Sequence, residues 1–121
     1  MDKYLVDSDV VIWFLKGREK EAQLLKNLSK SGDLYCSVVT IAEVRAGLTR
    51  QPGKIISQLA NIFVPLEINL EIAQTAGAFK QKYKLDIADM FIAATASVLN
   101  LNLVTYNKKH FPMSEVKRYT F

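Results

Sequence analysis

The chain has one cysteine and one histidine, and these two scarcities exclude more than most of the residues it does contain. Cys36 has no partner for an intrachain disulfide, so a stapled extracellular scaffold is excluded and a reducing compartment is natural. Its neighbours Leu34, Tyr35, Val38 and Val39 read as a buried strand, in which a free thiol packs as a small hydrophobe. With His110 alone, chemistry needing two imidazoles is out of reach, and no Cys and His cluster exists to favour zinc. His110 itself reads as a surface turn residue. No apolar run approaches the roughly 20 residues of a membrane span. Asp2 and Lys3 stand directly ahead of a strand, without the long apolar core and small-residue cleavage site of a signal peptide. The expectation is a soluble, cytoplasmic protein with no membrane partner.

At 121 residues, half of them hydrophobic, the chain suits one domain over residues 1–121 that buries roughly two-thirds of its unfolded surface. Sixteen Lys and Arg against twelve Asp and Glu leave a net charge of +4. Such an excess is either solubility charge or the footprint of a polyanionic partner.

Strands and helices alternate along the chain. Lys3 to Val6 reads as a strand ending at Asp7, Val10 to Leu15 as a helix ended by Gly17, and Glu19 to Ser31 as an amphipathic helix stopped by Gly32. Leu34 to Ser37 is a second strand and Val39 to Ala46 a helix, with Gly47 near its end. Pro52 suits the first turn of a helix reaching Asn61. Phe63 to Glu67 is a third strand, placed at a sheet edge by Pro65. Asn69 to Tyr83 and the very apolar Ile87 to Leu99 are helices. Leu103 to Tyr106 and Glu115 to Tyr119 are strands, separated by a turn from Asn107 to Pro112. This order predicts an α/β fold of three layers, with a mainly parallel central sheet of four to five strands flanked by helices.

Three carboxylates stand in unusually apolar sequence. Asp7 ends the run Tyr4, Leu5, Val6; Glu43 follows Val38 to Ile41; Asp89 opens Met90 to Ala94. An ionised carboxylate in such surroundings needs a hydrogen-bond partner, a counter-charge or a metal. Each also has a local explanation. Asp7 can cap a helix, Thr40 and Glu43 have capping-box spacing, and Asp86 can cap the helix that carries Asp89. In a parallel sheet, however, ligands bind beyond the carboxyl ends of the strands, where Asp7 and Glu43 both fall and Asp89 could join them.

Three carboxylates at close quarters raise one another's pKa unless a cation lies among them. An all-oxygen donor set favours Mg²⁺ or Mn²⁺ over Zn²⁺. Removing three negative charges from a net +4 leaves +7 on the remainder, a negative pocket in a positive surface. That pattern suits a polyanion held by Lys and Arg while metal-bound carboxylates act on a phosphate.

Asn107, following Leu103 to Tyr106, arrives at the same edge either as a fourth functional corner or as a plain turn asparagine. Ser8, Asp9, Asp86 and Thr105 occupy positions from which the ligands can be supported. Asp9 equally suits a first helical turn, where the dipole favours an acid. Lys80, Lys82, Lys84, Lys108 and Lys109 are candidate phosphate contacts or simply solvated charges.

Residues 5–12 (LVDSDVVI), 41–47 (IAEVRAG), 88–96 (ADMFIAATA) and 103–111 (LVTYNKKHF) resemble, in that order, the motifs of PIN-domain ribonucleases, most closely the VapC toxins of toxin-antitoxin pairs. The resemblance covers essentially the whole chain. It implies a PIN-like fold and a Mg²⁺- or Mn²⁺-dependent endoribonuclease acting on an RNA such as tRNA or rRNA. Asp7, Glu43 and Asp89 would then be catalytic acids and metal ligands, with Asn107 as the fourth catalytic position. It further implies a homodimer and a small VapB-like antitoxin. Two positions depart from the pattern: Asp9 stands where Asn or Ser is frequent, and Asn107 where Asp is frequent, which bears on a second metal ion.

Other classes fit less well. Asp7 and Asp9 after a strand look like the nucleophile and acid of a haloacid-dehalogenase-type phosphatase, yet Glu115 is the only acid after Leu99 to complete its metal site. A receiver domain needs a phosphate-accepting Asp on a central strand, and residues 34–85 contain no Asp. The remaining alternative is a PIN-like RNA- or partner-binding module with an idle site, for which Asn107 is the best support.

Overall fold

In the computed structural model, which describes residues 2–121, alternation along the strands builds the two faces of the sheet. Leu5 packs with Leu103 on one face, while Tyr4, Val6 and Val104 pack on the other. Strands buried on both faces are characteristic of parallel sheets covered by helices. The elements are β1 (Asp2–Val6), α1 (Ser8–Leu15), α2 (Glu19–Ser31), β2 (Gly32–Ser37), α3 (Val38–Ala46), α4 (Pro52–Ile62), β3 (Val64–Leu66), α5 (Leu70–Tyr83), α6 (Ile87–Val98), β4 (Asn102–Val104) and β5 (Lys117–Arg118). A short 3-10 turn, Lys108–His110, lies between β4 and β5.

The five strands run in the order β3-β2-β1-β4-β5 and every pairing is parallel. The expected three-layer fold is therefore present, and β3, with Pro65, is an edge strand as its proline requires. Ile72, Phe79, Met90 and Ile92 of α5 and α6 cover the Leu5 face. Val10, Leu25, Leu28, Val44 and Leu59, from α1 to α4, cover the other, together with the buried Cys36. Among the described residues no helix is long and apolar enough to cross a membrane.

Several boundaries differ from the sequence reading for local reasons. α1 begins at Ser8 rather than Val10, because Asp7 is its cap and accepts from the Ser8 N–H at 2.8 Å. α3 is capped by Ser37, whose Oγ accepts from Val39 N at 3.0 Å, so Thr40 is not the head of a capping box. Ser37 holds extended backbone as the last residue of β2, and the helix starts immediately behind it. β4 starts one residue earlier than Leu103 and ends at Val104 instead of Tyr106, and β5 keeps only Lys117–Arg118 of the strand read from Glu115 to Tyr119.

No loop separates α2 from β2. Gly32 serves as both C-cap and first strand residue, with extended backbone paired to Asp2. A Cβ there would stand 2.0 Å from the Asp2 carbonyl oxygen, a backbone atom that a side-chain rotation cannot move. Gly32→Ala is expected to destabilise by about 1–3 kcal/mol in urea unfolding, as overpacking does. Gly77, exposed inside α5, has nothing within 4 Å of such a Cβ. Gly77→Ala should instead stabilise by roughly 0.5–1 kcal/mol through helix propensity. Equal effects at both sites would contradict the close β1–β2 approach.

Candidate active site

Strand order reverses at β1, whose neighbours are β2 on one side and β4 on the other. Crevices at such switch points, beyond the carboxyl ends of the strands, are where open α/β sheets bind ligands. Asp7 stands at this point. Its main-chain N–H donates to Val104 O at 2.9 Å, extending the β1–β4 ladder by one bond. Its carboxylate is buried and doubly held, with Oδ1 accepting from Ser8 N and Oδ2 from the Thr105 hydroxyl at 2.8 Å. Thr105, itself fully buried, in turn accepts from Asn107 N at 3.0 Å.

Burial, followed by repulsion from Asp9 and also from Asp89, pushes the Asp7 carboxyl up to about 7, against the opposing pull of its two hydrogen bonds. Asp9 is raised too, chiefly by burial and partly by Asp89. Its Oδ1 accepts from Val10 N and its Oδ2 from Tyr106 N, at 2.7 and 3.2 Å. Asp7, Asp9 and Asp89 thus act on one another across the β1–β4 crevice. No Lys or Arg lies within salt-bridge distance of any of them among the described residues.

Glu43, exposed on α3, reaches this group through Ser8. Ser8 Oγ donates to Glu43 Oε1 at 2.7 Å, and the Thr40 hydroxyl stands 2.9 Å from Ser8 Oγ. Asp89, at the N-terminus of α6, has its Oδ2 2.8 Å from His110 Nδ1. Asn107 Nδ2 lies 2.9 Å from that same ring nitrogen, which can serve only one of these two partners at a time. His110 is therefore no plain turn residue: its ring occupies the place beside Asp89, and the 3-10 turn brings it there. Asp86 caps α6 through Ala88 N at 3.0 Å and remains exposed, with no bond to the acids. Of the lysines, Lys80 bonds the Leu85 carbonyl, Lys82 lies over Tyr83, Lys84 caps α5 and Lys108 lies over Phe121.

The donor chemistry is all oxygen, with a carboxylate whose proton is held first by burial and then by neighbouring acids, and this fits a hard divalent cation. As the side chains lie, no three His, Cys, Asp or Glu groups among the described residues converge to ligating distance. Glu43 is turned to Ser8 and Asp89 to His110.

Sequence reading also missed Glu21. It is fully buried in α2, accepts from the Tyr106 hydroxyl through Oε2, and leaves Oε1 without a partner. Burial and Glu21 push the Tyr106 phenol up to about 12. The available signal was a charged residue four and seven positions before Leu25 and Leu28, on their buried stripe.

Comparison with known proteins gives consistent results. The PIN domain family model matches residues 4–117. Ribonuclease VapC10 of Mycobacterium tuberculosis is 36% identical over 116 residues, covering 92% of this chain and 87% of the relative. Ribonuclease VapC1 of Methanocaldococcus jannaschii is 32% identical over 118 residues, covering 90% and 79%. Among solved structures, a toxin-antitoxin complex from Klebsiella pneumoniae superposes with a TM-score of 0.79 at 29% identity, covering 98% of this chain and 99% of the other. The chain belongs to the PIN-domain family, and within it to the VapC ribonucleases.

Proposed function

We propose that this VapC-family chain is a Mg²⁺- or Mn²⁺-dependent endoribonuclease that hydrolyses RNA phosphodiester bonds and serves as the toxin of a toxin-antitoxin pair. One observation carries the reading: Asp7 is buried, flanked by Asp9 and Asp89, and lacks a cationic partner among the described residues. The names of the relatives support the nuclease, and the Klebsiella complex supports a paired antitoxin.

Asp7, Glu43 and Asp89 would hold the cation. Bound there, a divalent ion supplies acidification of a water and screening of the charge that builds on the attacked phosphate. The chain's own residues prepare the position. Thr105 and the Ser8 N–H fix both oxygens of Asp7, so that carboxylate needs no reordering. Ser8 steadies Glu43, and Tyr106 N steadies Asp9. His110 holds Asp89 at the rim, from which it must turn inward to serve as a ligand. The binding-module alternative draws on Asn107 and on the incomplete convergence of the acids.

Asp7→Asn or Asp89→Asn is expected to lower Mn²⁺-dependent cleavage of RNA by about 100-fold or more, the scale of losing a main transition-state electrostatic contact. The same variants should lose Mn²⁺ binding in calorimetry. Full activity in either variant would refute the site, and wild-type protein with no Asp7-dependent Mn²⁺ binding would favour the idle module.

A second expectation concerns the metal-free protein. Because the folded pKa of Asp7 lies above the ordinary aspartate value of 3.8, the folded state holds the proton more tightly than the unfolded state. Asp7 therefore disfavours folding progressively as pH rises from about 4 through 7. In EDTA, Asp7→Asn should stabilise the protein at pH 8, and the gain should vanish toward pH 4. A pH-independent difference in urea midpoints would contradict the raised pKa.

A further inference from the structure

β4 ends at Val104, yet Thr105 and Tyr106, the two residues that steady Asp7 and Asp9, come after it. The pairing with β1 stops at Val104 as well, so past that point the segment is placed by individual hydrogen bonds. Thr105 is tied inward, its hydroxyl donating to Asp7 and accepting from Asn107 N. Tyr106 is tied at both ends. Its N–H donates to Asp9 Oδ2 at 3.2 Å, and its phenol donates to Oε2 of Glu21, 85 residues earlier on α2.

Glu21 is fully buried one turn ahead of Leu25, and among the described residues its Oε1 has no partner. An apolar side chain of similar volume would avoid the desolvation that a buried acid incurs. Packing therefore does not account for a glutamate here. What the acid supplies and a leucine does not is an acceptor for one phenol. Burial and the neighbouring carboxyl push that phenol up to about 12, so it keeps its proton and remains the donor through the neutral range. Only χ1 and χ2 separate the phenol ring from its main chain, so a ring held at its far end restrains the amide at the other. We propose that Glu21 is a positioning residue for RNA cleavage: by holding the Tyr106 phenol it sets the Tyr106 N–H on Asp9 and the Thr105 hydroxyl on Asp7. The proposal rests on the nuclease reading above.

Two variants separate positioning from folding. Glu21→Leu combined with Tyr106→Phe removes acid and phenol together, leaves neither orphaned, and should unfold in urea at the wild-type midpoint or above it. Glu21→Gln keeps an acceptor for the phenol. In EDTA, hydrogen exchange followed by NMR should show the amide at position 106 exchanging up to about tenfold faster in the double variant, the scale of one hydrogen bond. The Asp7 N–H, which bonds Val104 O, should keep its wild-type rate. The double variant should also bind Mn²⁺ about tenfold more weakly in calorimetry and cut RNA with kcat about tenfold lower at an unchanged KM, the scale of losing a group that supports a ligand. Glu21→Gln should recover the protection at position 106 and most of the Mn²⁺ affinity. Wild-type exchange at 106 together with wild-type Mn²⁺ affinity in the double variant overturns the proposal. Exchange accelerated equally at 7 and 106 also overturns it, because Glu21 would then serve folding only. Exchange and Mn²⁺ affinity that respond as expected, with a wild-type protein that cuts no RNA, overturn the nuclease reading alone.

Discussion

The acidic crevice depends on the pairing of β1 with β4. Leu5 lies opposite Leu103 and Val6 opposite Val104, and the Asp7 N–H carries the ladder one bond further. That register delivers the Thr105 hydroxyl to Asp7 and the Tyr106 N–H to Asp9. A slip of one residue would invert which side chains face the helices and remove both bonds together. Apolar packing on the two faces holds the register, so the polar geometry at the sheet edge is inherited from the core. Because β1 is also where strand order reverses, its end opens into a crevice.

Within that crevice the charges are unbalanced by design of the fold. The acids come from β1, α1 and α6, and their nearest polar partners are hydroxyls, main-chain amides and one imidazole. Hydrogen bonds steady such carboxylates but do not neutralise them, and burial keeps water from doing so. The lysines and arginines stand outside, several of them stacked on aromatic rings. A polyanion would be attracted to such a rim and repelled at the centre, a conflict that the divalent ion proposed above would relieve.

Much of this could be read along the chain because it is local or periodic. The buried apolar run of Tyr4, Leu5 and Val6, the edge position of Pro65, and the caps at Asp7 and Asp86 all depend on near neighbours. What could not be read depends on distant partners. Thr40 looked like a cap because its spacing from Glu43 is right, yet Ser37 takes that role and Thr40 turns to Ser8, 32 residues away. His110 looked like a turn residue until the 3-10 turn set it against Asp89. Asp9 suited a first helical turn, and it is one, but its second oxygen answers to Tyr106, 97 residues later. Neither propensity nor period carries such information, because it exists only once the β1–β4 register is formed.

Glu21 and Tyr106 form a pair of another kind. One oxygen of a fully buried glutamate is matched by a single phenol and the other by nothing. Losing the phenol would leave the whole carboxylate unmatched in the interior, while losing the carboxylate would orphan the hydroxyl. A change at either position alone therefore costs stability that a matched change at the other would recover. Tyr106 contributes to the edge of the acidic crevice as well, so this pair ties the packing of α2 to the position of the chain segment that steadies Asp9.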